Sequence, residues 1–198
     1  MQNAFTGTIP LRGDLRIVVR RADTGAVHWR YEIRNCITNV ALKSLVNLIA
    51  QKNIGPVLPD DFAVSYLRVG GYPTGSPVAM VSPVRTDINL QLSLPNATNP
   101  FRVILDNSTK YLTVSNPFEM KIIASLGTGD LNGNDLTEAG LFIRGGTTIT
   151  SPAPPTSPAQ DPADLTHYPE MFARQIHPAI PKSNAFVVDY DWRIAFTS

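Results

Sequence analysis

The chain has 198 residues, a net charge of +1 and 17% charged residues, fewer than the ~25% usual for soluble domains. It is long enough to bury a sizeable core without disulfide or metal staples, and its near-neutral balance excludes bulk attraction to nucleic acid or anionic lipid. Its single cysteine, Cys36, excludes an intrachain disulfide and reads as a small buried apolar residue.

Residues 1–16 carry no apolar run of signal-peptide length, and residues 1–10 are expected to form an arm that orders on a neighbour. "LRIVVRRADTGAVHWRYEIRN" predicts a β-hairpin. Val27, Trp29, Tyr31 and Ile33 alternate with His28, Arg30, Glu32 and Arg34, the period of a half-buried strand. Asp23-Thr24-Gly25 supplies the turn. Ile17, Val18 and Val19 are consecutive, so the first strand is expected to be covered on both faces.

A helix is predicted over about residues 38–52, because Ile37, Val40, Ala41, Leu45, Leu48 and Ile49 fall on one stripe. Thr38 or Asn39 can cap its start and Gly55-Pro56 ends it. The apolar run Val40 to Ala50 is broken by Lys43, Ser44 and Asn47 and is too short to span a bilayer.

Short strands are predicted at 62–71, 101–107, 111–116, 118–126 and 136–146, with breaks at Asn107-Ser108, Asn116-Pro117 and Asn132-Gly133. Residues 147–169 hold six prolines and read as a Pro-rich surface loop. The strongest strand is the last. Phe186, Val188, Tyr190, Trp192, Ile194 and Phe196 form one face, and Val187, Asp189, Asp191, Arg193 and Ala195 the other. Tight turns favour antiparallel pairing. The expected fold is mainly β: a single antiparallel β-sandwich domain over 1–198, with one packed α-helix and long loops.

No residue set carries catalytic chemistry, so an enzyme is not expected, nor any cofactor or metal. His28, His167 and His177 lack ligand spacing and read as solvated or hydrogen-bonded. "DLNGNDLTE" places Asp130, Asn132 and Asn134 like a calcium loop, but Asp135 stands where glycine is needed and Leu141 where the bidentate Glu belongs. It reads as a turn. Arg12-Gly13-Asp14 is a tripeptide common by chance.

The charge pattern is more informative. Arg12, Arg16, Arg20, Arg21, Arg30 and Arg34 crowd one hairpin, against Asp14, Asp23 and Glu32. Arginine is enriched at protein contacts and pairs bidentately with carboxylates, so an interface is expected there, with a solvated strand face as the plain alternative. Trp29 and Tyr31 lie on the apolar face rather than beside the arginines, which argues against nucleic acid.

Five phrases in order resemble a family of tailed-bacteriophage virion proteins of the tail-fibre, collar or baseplate kind. They are "RNCITNVALKSLVNLIA" (34–50), "YLRVGGYPTGSP" (66–77), "VRTDINLQL" (84–92), "LTEAGLFI" (136–143) and "MFARQIHPAIPKSNAFVVDYDWRIAF" (171–196). Together they span about residues 14 to 197. The second phrase departs in its Val-Gly-Gly-Tyr, the 147–169 insert is longer than the family's linker, and the ending carries Ile-Pro-Lys-Ser. The resemblance implies a non-enzymatic structural subunit, made in the host bacterial cytoplasm and resident in the virion. Its partners would be other virion proteins and copies of itself in a symmetric homo-oligomer. Ring contacts run head to tail and need two patches per protomer; the arginine hairpin and the Pro-rich loop, with Pro154, Pro155 and Tyr168, are the expected pair. Gly140 would allow a close approach to its strand, and Glu138 would pair with Arg174 or Lys182. Trp29, Gly140, Leu141, Phe142, Trp192 and Ile194 are expected in the core, with Ile143. The alternative is a receptor- or carbohydrate-binding β-sandwich module using Tyr72, Tyr111 and Tyr168.

Overall fold

The computed structural model describes residues 11–34, 36–39, 41, 64–87, 90–92, 94, 102–105, 110–112, 119–143 and 171–196. Among the described residues ten strands are formed: β1 (Leu11–Arg21), β2 (Val27–Arg34), β3 (Cys36–Ile37), β4 (Val64–Pro73), β5 (Arg102–Ile104), β6 (Lys110–Leu112), β7 (Glu119–Leu126), β8 (Asn134–Ile143), β9 (Met171–Lys182) and β10 (Phe186–Phe196). They make two five-stranded sheets, ordered β2-β1-β10-β7-β6 and β3-β9-β8-β4-β5. Every pairing is antiparallel. The protein is mainly β, as the alternating patterns predict.

The β1–β2 hairpin turns where expected. Gly25 takes φ +69°, and its N–H donates to the Arg21 carbonyl at 2.9 Å. The pairing steps from Val19↔Trp29 to Arg20↔Val27, so His28 is the extra residue of a bulge. Ile17, Val18 and Val19 are all buried, but the cover expected on both faces of β1 is confined to Val18 on the outer side, where Arg12 and Arg20 are exposed and Asp14 and Arg16 half-buried.

Sequence neighbours β2 and β3 belong to different sheets, as do β7 and β8, and β9 and β10. The two sheets share one buried cluster. Leu15, Ile17, Ile122, Tyr190, Trp192 and Ile194 come from the first sheet, and Leu67, Val69, Leu136, Leu141, Ile143 and Ala173 from the second. Burial of these side chains is the main stabilising term, at roughly 25 cal/mol per Å² of apolar surface. Trp29 packs against this cluster from a half-buried position, with its ring 6.2 Å from that of Phe186.

Phe142 is fully buried, but on the opposite face of the second sheet. There it joins Tyr66, Leu90 and Met171 in a separate cluster. Period two explains the division: Leu141 points into the shared core, so Phe142 points away. Leu92 and Leu94 lie alongside β4. The Gly71 N–H donates to Leu92 O at 2.8 Å and the Leu94 N–H to Val69 O at 3.3 Å.

The helix expected over 38–52 lies almost wholly outside the described residues; of that span, Thr38 and Ala41 are buried. The arm expected at 1–10 and the Pro-rich loop at 147–169, with Pro154, Pro155 and Tyr168, also lie outside them.

Candidate protein interface and the node beneath the second sheet

Strand register decides where the arginines go. Leu15, Ile17 and Val19 face the core, so Arg12, Asp14, Arg16, Val18 and Arg20 face outward. The same alternation puts Arg30, Glu32 and Arg34 of β2 on that face. Three rows result. Arg34, Asp14, Arg193 and Lys121 lie side by side; next come Glu32, Arg16, Asp191 and Ile123; then Arg30, Val18, Asp189 and Ser125. Opposite signs face one another from β2 through β1 to β10 in the first two rows, while Arg193 lies beside Lys121 and Asp189 follows Asp191 along β10.

The hairpin's positive charge is partly offset by β10. Arg20 Nη2 lies 2.5 Å from Asp189 Oδ2, and Lys121 Nζ lies 3.2 Å from Asp191 Oδ2. Asp189 also accepts from Ser125 Oγ at 2.6 Å. Within β1, Arg12 Nε is 2.7 Å from Asp14 Oδ2. Arg21 stands apart at the strand end, held by Asp23 at 3.0 Å; this exposed pair raises the Arg21 pKa and lowers that of Asp23. Arg16, Arg30 and Arg34 make no ion pair among the described residues.

At one end of this face a dish of about 390 Å³ opens between Arg12, Asp14, Arg16, Glu32, Arg34, Asp191 and Arg193. Two buried polar atoms of its lining residues, Arg16 Nε and Asp191 Oδ1, have no hydrogen-bond partner among the described residues. Five of the six hairpin arginines thus meet on one surface, but as a mosaic and not a basic patch. Sequence reading missed the contribution of Lys121, Asp189, Asp191 and Arg193. The signal was the polar face of the last strand, whose partner lies more than 150 positions away in sequence.

The second sheet's opposite face holds a buried ionic node. Glu138 of β8 is wholly buried and accepts at Oε2 from Arg174 Nε of β9 at 2.9 Å. Arg174 reaches on to Asp87 Oδ2, at 2.8 Å through Nη1. The Leu92 N–H donates to the other Glu138 oxygen. Both carboxylates raise the Arg174 pKa against the lowering effect of burial. Of the two partners expected for Glu138, the structure selects Arg174. Lys182 instead donates to Asn132 Oδ1 at 3.2 Å and Ser183 O at 3.1 Å.

The node needs room. A Cβ on Gly70 would lie 2.5 Å from Glu138 Cγ and 2.6 Å from Leu92 O, and one on Gly71 would meet the Asp135 carbonyl at 2.1 Å. The β4–β8 register shifts between these two glycines. At Gly140 a Cβ would lie 3.0 Å from Leu90 Cδ2 and from the Phe142 ring, and 3.2 Å from the Ala173 carbonyl. The close approach expected at Gly140 comes from those three groups. Beside them the Arg68 guanidinium lies over the Phe142 ring, 4.7 Å from its centroid.

Among the described residues no group of three His, Cys, Asp or Glu side chains could hold a metal. The calcium-like stretch is a turn: Asp130 Oδ2 accepts from the Gly127 N–H at 2.6 Å and Asn134 Nδ2 donates to Leu131 O at 2.9 Å. His28 is exposed and stacks on Phe186, while His167 lies outside the described residues. His177 is buried, and its Nδ1–H donates to Pro178 O at 2.9 Å. Of the tyrosines considered for a glycan groove, Tyr72 is half-buried and Tyr168 lies outside the described residues. Compared with known protein families, with curated proteins and with solved structures, the chain matches none.

Proposed function

We propose that this protein is a non-enzymatic structural subunit of a tailed-phage virion, serving in the tail, collar or baseplate and fibre attachment. It acts by symmetric assembly with copies of itself and other virion proteins. In this reading the two sheets are the halves of a β-sandwich, and a helix starting near Thr38 packs on the node's side of the second sheet.

One observation carries the reading. The five phrases behind the family resemblance converge on the Glu138–Arg174 node. "LTEAGLFI" gives Glu138, and "MFARQIHP" gives Arg174. "VRTDINLQL" gives Asp87 and the Leu92 N–H, and "YLRVGG" gives the space at Gly70. "RNCITN" gives Cys36, opposite Arg174, and Thr38, whose hydroxyl donates to Met171 O. Phrases far apart in sequence whose residues meet in a buried node are what a scaffold requires. The charged mosaic of the first sheet is then the assembling surface, since charge complementarity fixes partner and register.

Quantitative mass spectrometry of purified particles, against a tail protein of known copy number, tests the proposal. A fixed ratio that fits a symmetric count supports it. Absence of the chain from particles overturns it.

A further inference from the structure

β2 is the edge of the first sheet, and no strand among the described residues pairs with its outer side. Its outward side chains, Arg30, Glu32 and Arg34, are exposed, and Trp29, Tyr31 and Ile33 are only half-buried. The edge is protected only by the bulge at His28 and by its exposed charges. The strand has no proline and no lysine, and no charge points inward. Arg30, Glu32 and Arg34 make no ion pair within the described residues.

The geometry points to pairing of β2 with β2 of a second copy, antiparallel about a two-fold axis through Tyr31. In that register Arg30 faces Glu32 of the second copy and Glu32 faces its Arg30, while Trp29 meets Ile33 on the apolar side. A two-fold axis duplicates every contact, so the strand's own charge order is complementary to itself. Moving the axis one residue along to Glu32 sets Glu32 against Glu32 and Arg30 against Arg34. Like charges directly opposite are destabilising, so that register is rejected. An axis at Arg30 likewise opposes two arginines. An axis at Ile33 leaves half the strand unpaired, because the chain leaves this sheet after Arg34. The pairing joins two five-stranded sheets into one and covers the exposed flank of Trp29 and Tyr31. This inference rests on the strand itself and not on the virion reading, which survives its failure.

Sedimentation velocity of the whole chain, from micromolar to millimolar, tests it together with three variants. The wild type is expected to dimerise. Glu32→Arg and Arg30→Glu each turn two attractive pairs repulsive and weaken association by at least about tenfold. The double variant, with both changes on one chain, restores opposite charges in the same register and recovers the dimer. Independently, Tyr31→Cys in a Cys36→Ser background is expected to form a covalent dimer on oxidation. Ile33→Cys is not, since the paired copies hold that position about 13 Å apart. A wild-type monomer overturns the inference. If its β2 amides exchange slowly the chain covers its own edge; if they exchange fast, any occupant is a foreign strand. A dimer indifferent to both single charge reversals also overturns it, as does a double variant that stays monomeric.

Discussion

Arg174 Nε lies 2.9 Å from Glu138 Oε2, with 4% of the arginine side chain and none of the glutamate exposed. This pair ties β8 to β9, and through Asp87 it ties both to the segment crossing above them. Desolvating two charges nearly offsets their attraction, but removing one partner leaves the other buried and alone. Glu138→Ala and Arg174→Ala are each expected to cost ~3–5 kcal/mol. The double variant should cost less than the sum of the two. Urea melts of the four proteins check this, and strictly additive losses would rule out coupling.

The glycine beside the node has a sharper signature. In Gly70→Ala the new methyl would sit on Glu138 Cγ and the Leu92 carbonyl, so a loss of about 1–3 kcal/mol or more is expected. At Gly129 nothing lies within 4 Å and φ is not positive. Gly129→Ala should fall within about 0.5 kcal/mol of wild type. Equal melting temperatures for the two variants would mean that the space at Gly70 is not needed.

Acid should loosen the fold through His177. Burial lowers its pKa from the ordinary 6.5 to about 4, so the unfolded chain binds the extra proton first. The stabilising contribution of the neutral ring is complete above pH 6.5 and is lost as pH falls towards 4. At pH 5 the loss is about 2 kcal/mol. Comparing wild type with His177→Gln in urea at pH 7.5 and pH 5 isolates it: the wild type should lose more stability between the two. Parallel losses would show that the imidazole contributes nothing to the acid response.

Trp192 is the largest fully buried side chain, set opposite Leu15 and Ile122 in the first sheet. Trp192→Ala is expected to cost ~3–5 kcal/mol. An unshifted thermal melt would place the ring outside the shared core.

Local pattern made much of the fold legible. The hairpin turn at Gly25 and the two faces of β10 follow from residue spacing alone. So does the burial of Ile17, Val18 and Val19 together, because three consecutive branched residues place an apolar side chain on each face of β1 at that point. The same logic explains Phe142, whose neighbour Leu141 takes the inward position. Charge neutralisation was not legible, since Asp189 and Asp191 meet the arginines only through pairing across most of the chain's length. Asp87 gave no sign either: it sits in a loop-like stretch, and only the approach of β8 and β9 makes it a ligand for Arg174. Pro178 hid the length of β9. It lacks an N–H to donate and is accommodated where the β8–β9 register shifts between Leu136 and Glu138, so a residue that argues against a strand stands inside one.

The junction of β8 and β9 has a practical consequence. Phe142 is paired with Met171, so the ends of the intervening chain are held at the spacing of adjacent strands. Closing a loop between fixed ends costs only ~0.6 kcal/mol for each doubling of its length. The connection can therefore lengthen, shorten or take in foreign sequence while the sheet stays in register. Peptides for display, affinity tags or fluorophores can be inserted within this connection, between the paired ends at Phe142 and Met171.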